Sequence, residues 1–286
     1  MNLLITTPTT QTWITLGIVA GIFAGAALLI GILILVANKF FHVDVDEKTE
    51  QISENLAGVN CGGCGFEGCR RFAEKLAEGG TKLSACHVTS PEKKAEIAKL
   101  VGVELDDEEA TVAVVHCKGG AENCKDKFEY KGNPTCAANN SLLGGNKLCS
   151  YACLGCGDCK VVCPEDAIAV EGRLARVDPD RCISCGACII TCPKKIIERI
   201  PASAPVYVGC SSHCNVKEVK SVCTVGCIAC GVCAKVCPHG AITMKDNLPS
   251  FDYAKCTGCL TCVAKCPRQI IISRKVLSEE TPKNFY

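Results

Sequence analysis

The stretch Cys153-Leu-Gly-Cys156-Gly-Asp-Cys159-Lys-Val-Val-Cys163-Pro164 decides the fold of this chain. Its spacing, Cys-x2-Cys-x2-Cys-x3-Cys-Pro, returns three times, starting at Cys182, Cys227 and Cys256. It is the ligand pattern of bacterial iron–sulfur clusters, in which the fourth cysteine of one run ligates the cluster of the partner run. The sequence therefore predicts four [4Fe–4S] clusters in two pairs and favours electron transfer.

Because the fourth cysteine of each run ligates the cluster of the partner run, every predicted ligand can be assigned to a cluster. Zinc is the competing interpretation, because four-cysteine zinc sites also use Cys-x2-Cys pairs, but four complete copies that end in proline favour iron. The first pair of ligand sets is Cys153, Cys156, Cys159 with Cys192, and Cys182, Cys185, Cys188 with Cys163. The second pair is Cys227, Cys230, Cys233 with Cys266, and Cys256, Cys259, Cys262 with Cys237. Gly157, Gly186, Gly231 and Gly258 lie inside these loops, where we expect positive φ.

The two pairs are related by an internal duplication. Cys153 and Cys182 are 29 residues apart, as are Cys227 and Cys256, and the two pairs are offset by 74 residues. Each pair also contains a predicted short β-hairpin, at 167–177 and at 241–251. We therefore expect two tandem two-cluster ferredoxin-like modules, residues 111–200 and residues 201–286, the second including the C-terminal tail.

A different cysteine arrangement precedes these modules. Cys61-Gly-Gly-Cys64-Gly-Phe-Glu-Gly-Cys69 is followed by Cys86, and four thiols at these spacings can hold one more cluster. A zinc site or a thiol redox motif is the alternative. We predict a fifth cluster in a small domain of residues 53–90, with His87 as a neighbour and not a ligand. Residues 91–110 are predicted to form a linker helix and an acidic hinge.

The N-terminal region predicts a membrane anchor. Residues 14–37 are 24 consecutive residues without a charge, long enough to span the hydrocarbon layer. A cleavable signal peptide is the alternative, but no basic residue precedes the run and the run is too long. We predict a short non-cytoplasmic N-terminus (1–12), a transmembrane helix (13–38) and a linker (39–52). Lys39 after the span and the need for reduced thiols both favour a cytoplasmic location for the rest of the chain.

Composition narrows the function further. The chain of 286 residues has 27 cysteines, and 31 basic against 30 acidic residues give a net charge of +1, which argues against nucleic-acid binding. No Gly-x-Gly-x2-Gly motif follows a strand, so NAD and flavin are expected on partner subunits, and we assign no catalytic residue to this chain. The glycines of Gly17-x3-Gly21-x3-Gly25 would let a partner helix approach closely. Basic residues beside the clusters could dock an acidic ferredoxin or belong to an ordinary charged surface: Arg181, Lys235, Lys255, Lys265 and Arg268.

Seven cysteines stand outside these motifs: Cys117, Cys124, Cys136, Cys149, Cys210, Cys214 and Cys223. The duplication relates Cys149 to Cys223. It leaves open whether Cys117 or Cys136 corresponds to Cys210. One interpretation is a sixth cluster on Cys117, Cys124, Cys136 and Cys149. The other, which we favour because cluster loops hold several ligands close in sequence, is structural thiols or disulfides.

The parts and their order resemble the B subunit of the Rnf complex. The resemblance covers essentially the whole chain and rests on the single span, the Cys61-x2-Cys64-x4-Cys69-x16-Cys86 domain and the ferredoxin runs behind it. It implies a component of a membrane-bound ferredoxin:NAD+ oxidoreductase that accepts electrons from soluble ferredoxin and is coupled to Na+ or H+ export. The second ferredoxin pair departs from the shortest members and resembles an extended clostridial-type form.

The expected fold class is α+β, with one N-terminal transmembrane helix, a small four-cysteine iron–sulfur domain and tandem two-cluster ferredoxin-like modules. Two other functions compete with the Rnf component. An electron-transfer component of another membrane hydrogenase or quinone-reductase assembly would not need the Cys61 to Cys86 domain. A redox or iron sensor would need one labile cluster and not a chain of them.

Overall fold

The computed structural model describes residues 10–40, 47–104 and 109–274. Its contacts divide the chain into two units, Met1–Glu47 and Lys48–Tyr286. Helix α1, Thr10–Phe40, belongs to the first unit and contains an apolar span, Leu16–Val36, of 21 residues with a mean hydropathy of 2.8. In the described part of the chain, this is the one helix long and apolar enough to cross a membrane. Most of the predicted N-terminal segment lies outside the described residues.

The second unit begins with a small helical domain. Its elements are α2 (Glu47–Asn55), α3 (Cys69–Ala77), a 3-10 turn (Leu83–Ala85) and α4 (Pro91–Val101). Ile52, Phe72, Leu76 and Ile97 are fully buried together, so α2, α3 and α4 share one core. Helix α2 thus begins within the segment predicted as a linker, and the predicted linker helix packs onto the domain before it. Residues 105–108 of the predicted acidic hinge lie outside the described residues.

In each ferredoxin-like module the first strand pairs with the last. In the first module, β1 (Thr111–Val115) pairs antiparallel with β4 (Ile197–Pro201), and β2 (Ile168–Glu171) forms a hairpin with β3 (Leu174–Val177). In the second, β5 (Val206–Val208) pairs with β8 (Ile271–Ser273), and β6 (Ile242–Lys245) with β7 (Leu248–Phe251). Both hairpins lie where the duplication predicts them. The short helices are α5 (Cys136–Ser141), α6 (Asp158–Val161), α7 (Ala187–Thr191), α8 (Val216–Val222), α9 (Val232–Lys235) and α10 (Thr261–Lys265).

Strand β1 joins the two modules. Because side chains alternate along a strand, Ala113 and Val115 enter the core of the first module. Val112 and Val114 pack on the opposite face against Tyr207 of the second module. Burial on both faces explains the uninterrupted apolar sequence of this strand.

The cysteine runs turn through left-handed backbone conformations. As expected, Gly157, Gly186, Gly231 and Gly258 have positive φ, of 98°, 82°, 69° and 71°. In the fourth run, Leu260 has φ 59° at the position that Gly231 occupies in the third. A branched residue loses about 1–2 kcal/mol in this conformation, so the loop geometry is retained against its local preference.

Candidate iron–sulfur sites

In the first module the structure brings cysteines of the two runs together crosswise. The thiol of Cys159 interacts electrostatically with that of Cys192 from the second run. The thiol of Cys188 interacts with those of Cys182, Cys185 and Cys163, the last of which comes from the first run. Short helices α6 and α7 carry the third cysteine of each run into the core. Each fourth cysteine therefore lies with the partner run.

The second module repeats the crossing. Cys227, Cys230, Cys233 and Cys266 line one cavity. Cys237, Cys256, Cys259 and Cys262 line another. Exposed thiols occur once in each set, at Cys230 and Cys259. These two sites are therefore open to the surface at one corner.

The small domain forms a comparable site. Cys61, Cys64, Cys69 and Cys86 line one cavity. Asn60 fixes the loop, because its side-chain oxygen accepts a 2.8 Å hydrogen bond from the backbone N–H of Cys69 at the start of α3. Cys69 and Cys86 thus face a common cavity although one begins a helix and the other ends a 3-10 turn.

The small domain contacts the first ferredoxin-like module at one of its cysteine loops. Cys185 lines the cavity of the small domain, and its thiol interacts electrostatically with that of Cys61. Gly63 lies so close to Cys185 that a Cβ on Gly63 would overlap the carbonyl oxygen of Cys185. Two predicted cluster sites are therefore neighbours across this contact.

The donor sets suit [4Fe–4S] clusters, because four thiols around one cavity can bind one iron at each corner of a cluster. Backbone N–H groups also point at the sulfurs, as in the 3.3 Å bond from Ala167 to Cys163 and the 3.4 Å bond from Ala241 to Cys237. Such bonds help to set cluster potentials.

Burial controls the protonation of these thiols. It raises the pKa of Cys159 and Cys188 to about 12 and the pKa of Cys227 and Cys262 to about 11. Iron binding must therefore displace protons at these positions. Cys259 is the contrast, because a hydrogen bond from Thr261 lowers its pKa. The hydroxyl of Thr261 is thus placed to stabilise negative charge on this exposed sulfur.

The seven remaining cysteines are grouped differently from the predicted sixth site. All 27 cysteines lie within the described residues, and the structure records each as a free thiol, so the disulfide part of the favoured interpretation is wrong. Cys124 and Cys149 lie with Cys210 and Cys223 of the second module, while Cys136 lies beside Cys156. The set Cys117, Cys124, Cys136 and Cys149 is therefore not brought together, because α5 carries Cys136 to another site.

The structure also decides which cysteine corresponds to Cys210. The sulfur of Cys117 accepts a 3.5 Å hydrogen bond from the N–H of Cys153, and that of Cys210 accepts a 3.4 Å bond from the N–H of Cys227. The preceding β-runs therefore give the right correspondence, and the 74-residue offset gives the wrong one. An insertion between Cys117 and the first run displaces Cys117 from the 74-residue offset, so the offset does not relate it to Cys210.

Some of the basic side chains named for docking are already engaged. Arg268 donates to the carbonyl oxygens of Gly226 and Cys223, and Lys255 pairs with Asp252 at 2.9 Å. Lys235 and Lys265 are exposed at the ends of α9 and α10. These two lysines remain candidates for a docking surface beside the second-module sites.

Comparison with known proteins agrees with this description. Residues 56–88 match a family described as an Fe-S cluster domain, and residues 152–196 and 226–270 each match the 4Fe-4S dicluster domain. Fold and sites together define an iron–sulfur electron-transfer protein.

Relatives specify the family. The chain is 39% identical over 252 residues to the B subunit of the Na(+)-translocating ferredoxin:NAD(+) oxidoreductase complex of Acetobacterium woodii, covering 88% of this chain and 76% of that protein. It is 38% identical to the B subunit of the ion-translocating oxidoreductase complex of Methanosarcina acetivorans (87% and 95% covered). It is 39% identical to the B subunit of the proton-translocating ferredoxin:NAD(+) oxidoreductase complex of Clostridium ljungdahlii (84% and 86% covered). The chain belongs to the family of Rnf complex B subunits, as its sequence motifs predicted, and it is a membrane-associated electron-transfer protein.

Proposed function

We propose that this chain takes electrons from reduced soluble ferredoxin and relays them through five [4Fe–4S] clusters toward the membrane partners of an Rnf-type complex. The complex would reduce NAD+ and export Na+ or H+. One relative is named as Na(+)-translocating and another as proton-translocating, so the two ions are supported equally. Each cluster, when bound, supplies a centre that gains and loses one electron. The crosswise meeting of cysteines from paired runs is the observation that carries the proposal.

The protein's part in the relay is to hold redox centres in a fixed order. The proposed ligands are the twenty cysteines of the five sets, which the chain positions with short loops and N–H···S bonds. The thiols of Cys159 and Cys188 interact across the two sites of the first module. Cys61 and Cys185 do so across the contact with the small domain. Adjacent sites therefore share contacting loops.

We place the surface that accepts electrons from ferredoxin on the second module. Of the twenty proposed ligands, all of which the structure describes, Cys230 and Cys259 are the exposed ones. Lys235 and Lys265 add positive charge beside these sites, which suits an acidic ferredoxin. The small domain stands at the other end of the relay, and it follows the membrane helix in sequence. Electrons would thus travel from the second module toward the membrane partners.

Sidedness is also part of the proposal. Thiols that must bind iron need a reducing compartment, and Lys39 follows the span, so we place the second unit in the cytoplasm. NAD and flavin would be bound by other subunits of the complex, and no nucleic acid is involved.

A charge-reversal experiment tests the docking surface. Lys235→Glu combined with Lys265→Glu should raise the KM for ferredoxin in membranes that contain the complex, with the effect shrinking at high salt. The matched control is Lys93→Glu with Lys99→Glu, two exposed lysines on α4 of the small domain. Equal KM values in both double variants would remove ferredoxin docking from this surface. Purified chain that holds zinc, or far fewer than about 20 iron atoms, would contradict the relay itself.

A further inference from the structure

A cleft between the two ferredoxin-like modules lies outside the five proposed cluster sites and touches them only at Cys266. Its volume is about 410 Å³, within the range of about 300–1,000 Å³ that is typical of small-molecule sites. Strands β1 and β3 of the first module line one side, and helix α10 and strand β8 of the second line the other. The cleft is therefore large enough for a small ligand and is built from both modules.

The walls of the cleft are apolar and belong to packed cores. Val115 and Leu174 are part of the core of the first module, and Ile271 is part of that of the second. Val263 of α10 packs against the second core. Apolar walls with a small number of placed polar groups are the usual composition of a small-molecule site.

Positive charge gathers at this cleft. Arg176, Arg274 and Lys118 line it, and none of the lining residues that the structure describes is Asp or Glu. Burial raises the pKa of Tyr207 to about 12, and the charges of Arg176 and Arg274 both act in the opposite direction, so the two guanidinium groups lie near one phenol. Lys118 donates a 2.9 Å hydrogen bond to a neutral carbonyl oxygen, that of Gln269. The described lining thus holds three cations and no carboxylate.

Hydrogen-bond donors beside the cleft lack acceptors. Arg274 uses its Nη1 to donate to three backbone carbonyl oxygens of residues 201–204. Its Nε is covered from solvent and has no hydrogen-bond partner among the described residues. The hydroxyl of Ser273, a residue that is 4% exposed, has none either. Neutral carbonyls do not balance the charge of a guanidinium, whereas an anionic oxygen would supply both an acceptor and a counter-charge.

We propose that this cleft binds a small anionic molecule, with a phosphate or carboxylate head beside Arg176 and Arg274 and an apolar body along Val263 and Ile271. Phosphate and carboxylate share the charge and the oxygen geometry that a guanidinium recognises. The bound charge would lie near Cys266, the proposed fourth ligand of the set that starts at Cys227. Negative charge near a cluster disfavours an added electron, so binding should lower the reduction potential of that site. The ligand would thus control how readily the second module accepts electrons.

Binding to the cleft does not depend on the relay, so it is measured directly. Full-length protein is purified anaerobically in detergent and titrated, by ligand-observed NMR, with phenyl phosphate, phenylacetate and the neutral phenylacetamide. We expect the two anions to bind roughly tenfold or more tightly than the amide, and their order shows which head the site prefers. Equal binding of the amide and the anions, or no binding of either anion, would overturn the site.

Two variants then locate the site. Arg176→Gln removes a charge at an exposed position, and Ala264→Phe places a ring in the cleft from an exposed position of α10. Each should weaken the binding of phenyl phosphate roughly tenfold. Arg70→Gln on α3 of the small domain is the matched control and should bind as the wild type does. Wild-type affinity in both cleft variants, or an equal loss in the control, would contradict this location.

The effect on the neighbouring site rests on the proposed cluster there, and redox titration followed by EPR tests it. Phenyl phosphate should shift the midpoint potential of one cluster downward in the wild type, and less so in Arg176→Gln at the same concentration. An unshifted potential in protein that binds phenyl phosphate would overturn the control of electron entry while leaving the anion site standing. Protein that binds the anion but holds no iron would overturn the proposed relay and not the site.

Discussion

Gly63 provides the sharpest test of how electrons leave the first ferredoxin-like module. A Cβ at Gly63 would overlap the carbonyl oxygen of Cys185 and lie 2.8 Å from its carbonyl carbon. Gly63 has no positive φ, so alanine is acceptable to its own backbone and the conflict is purely one of space. Gly63→Ala should therefore separate the small domain from the module without disturbing the fold of either.

The size of the effect follows from the atoms involved. Both atoms that meet the added methyl group belong to the backbone of Cys185, so no side chain can rotate out of the way. Overpacking of this kind costs about 1–3 kcal/mol. If that cost falls on the contact between the two parts, the docked population decreases roughly 5- to 150-fold relative to the undocked one. Electron tunnelling falls exponentially with distance, so the rate across this contact should decrease with the docked population.

Two measurements on the same material check this. Iron content should stay at the wild-type value, while ferredoxin-dependent NAD+ reduction by membranes containing the variant complex decreases several-fold. Magnetic coupling between the reduced clusters of the two neighbouring sites, seen by EPR, should weaken in parallel. Gly80→Ala is the matched control in the same domain, because its Cβ would lie 3.4 Å from the nearest atom. Unchanged turnover and coupling in Gly63→Ala would refute a route through Cys61 and Cys185.

Four further outcomes are expected. Thr261→Val removes the hydroxyl 3.5 Å from the sulfur of Cys259. The reduction potential of that site should decrease by a few tens of millivolts, which is the one-electron equivalent of about 1 kcal/mol. Redox titration followed by EPR checks this, with Thr243→Val as the control. Ala229 has a φ of 51°, which costs about 1 kcal/mol, so Ala229→Gly should slow the loss of the cluster to a chelator. Ala234→Gly, inside α9, should speed this loss. Equal rates in the two variants would contradict backbone strain at Ala229. Cys192→Ser should disturb the cluster of Cys153, Cys156 and Cys159 and leave that of Cys182, Cys185 and Cys188 intact. The expected result is one three-iron EPR signal or the loss of one cluster. Damage to the second cluster instead would contradict the crosswise assignment. Removal of all iron should unfold both modules, because Cys153, Cys159 and Cys188 form part of the core, while the circular dichroism of the long helix α1 persists; a retained near-UV spectrum of the modules would count against this.

The sequence alone predicted the features that are local along the chain. Three cysteines within seven residues can wrap one cluster whatever the rest of the fold does, so the runs starting at Cys153, Cys182, Cys227 and Cys256 were readable directly. The hairpins 167–177 and 241–251 carry their own turn signals. The apolar span needs only its length and composition, since the bilayer imposes both requirements.

Other features were decided by contacts between distant segments. The first part of α2, residues 47–52, was predicted as part of a charged linker, but Ile52 is buried with Phe72 in the core of the small domain. One of the two interpretations of the remaining cysteines placed Cys136 in a site with Cys124, but α5 carries Cys136 to Cys156. The approach of Gly63 to Cys185 has no sequence signal except a glycine among other glycines.

Sequence therefore determined the chemistry of this protein, and tertiary structure decided how its sites are connected. A ligand run specifies its own site because the chain between its cysteines is too short to place them anywhere else. Cys124, Cys149, Cys210 and Cys223 are joined by long segments that permit many arrangements. They meet because β1 packs against both modules and a β-bridge sets Cys124 beside Cys223.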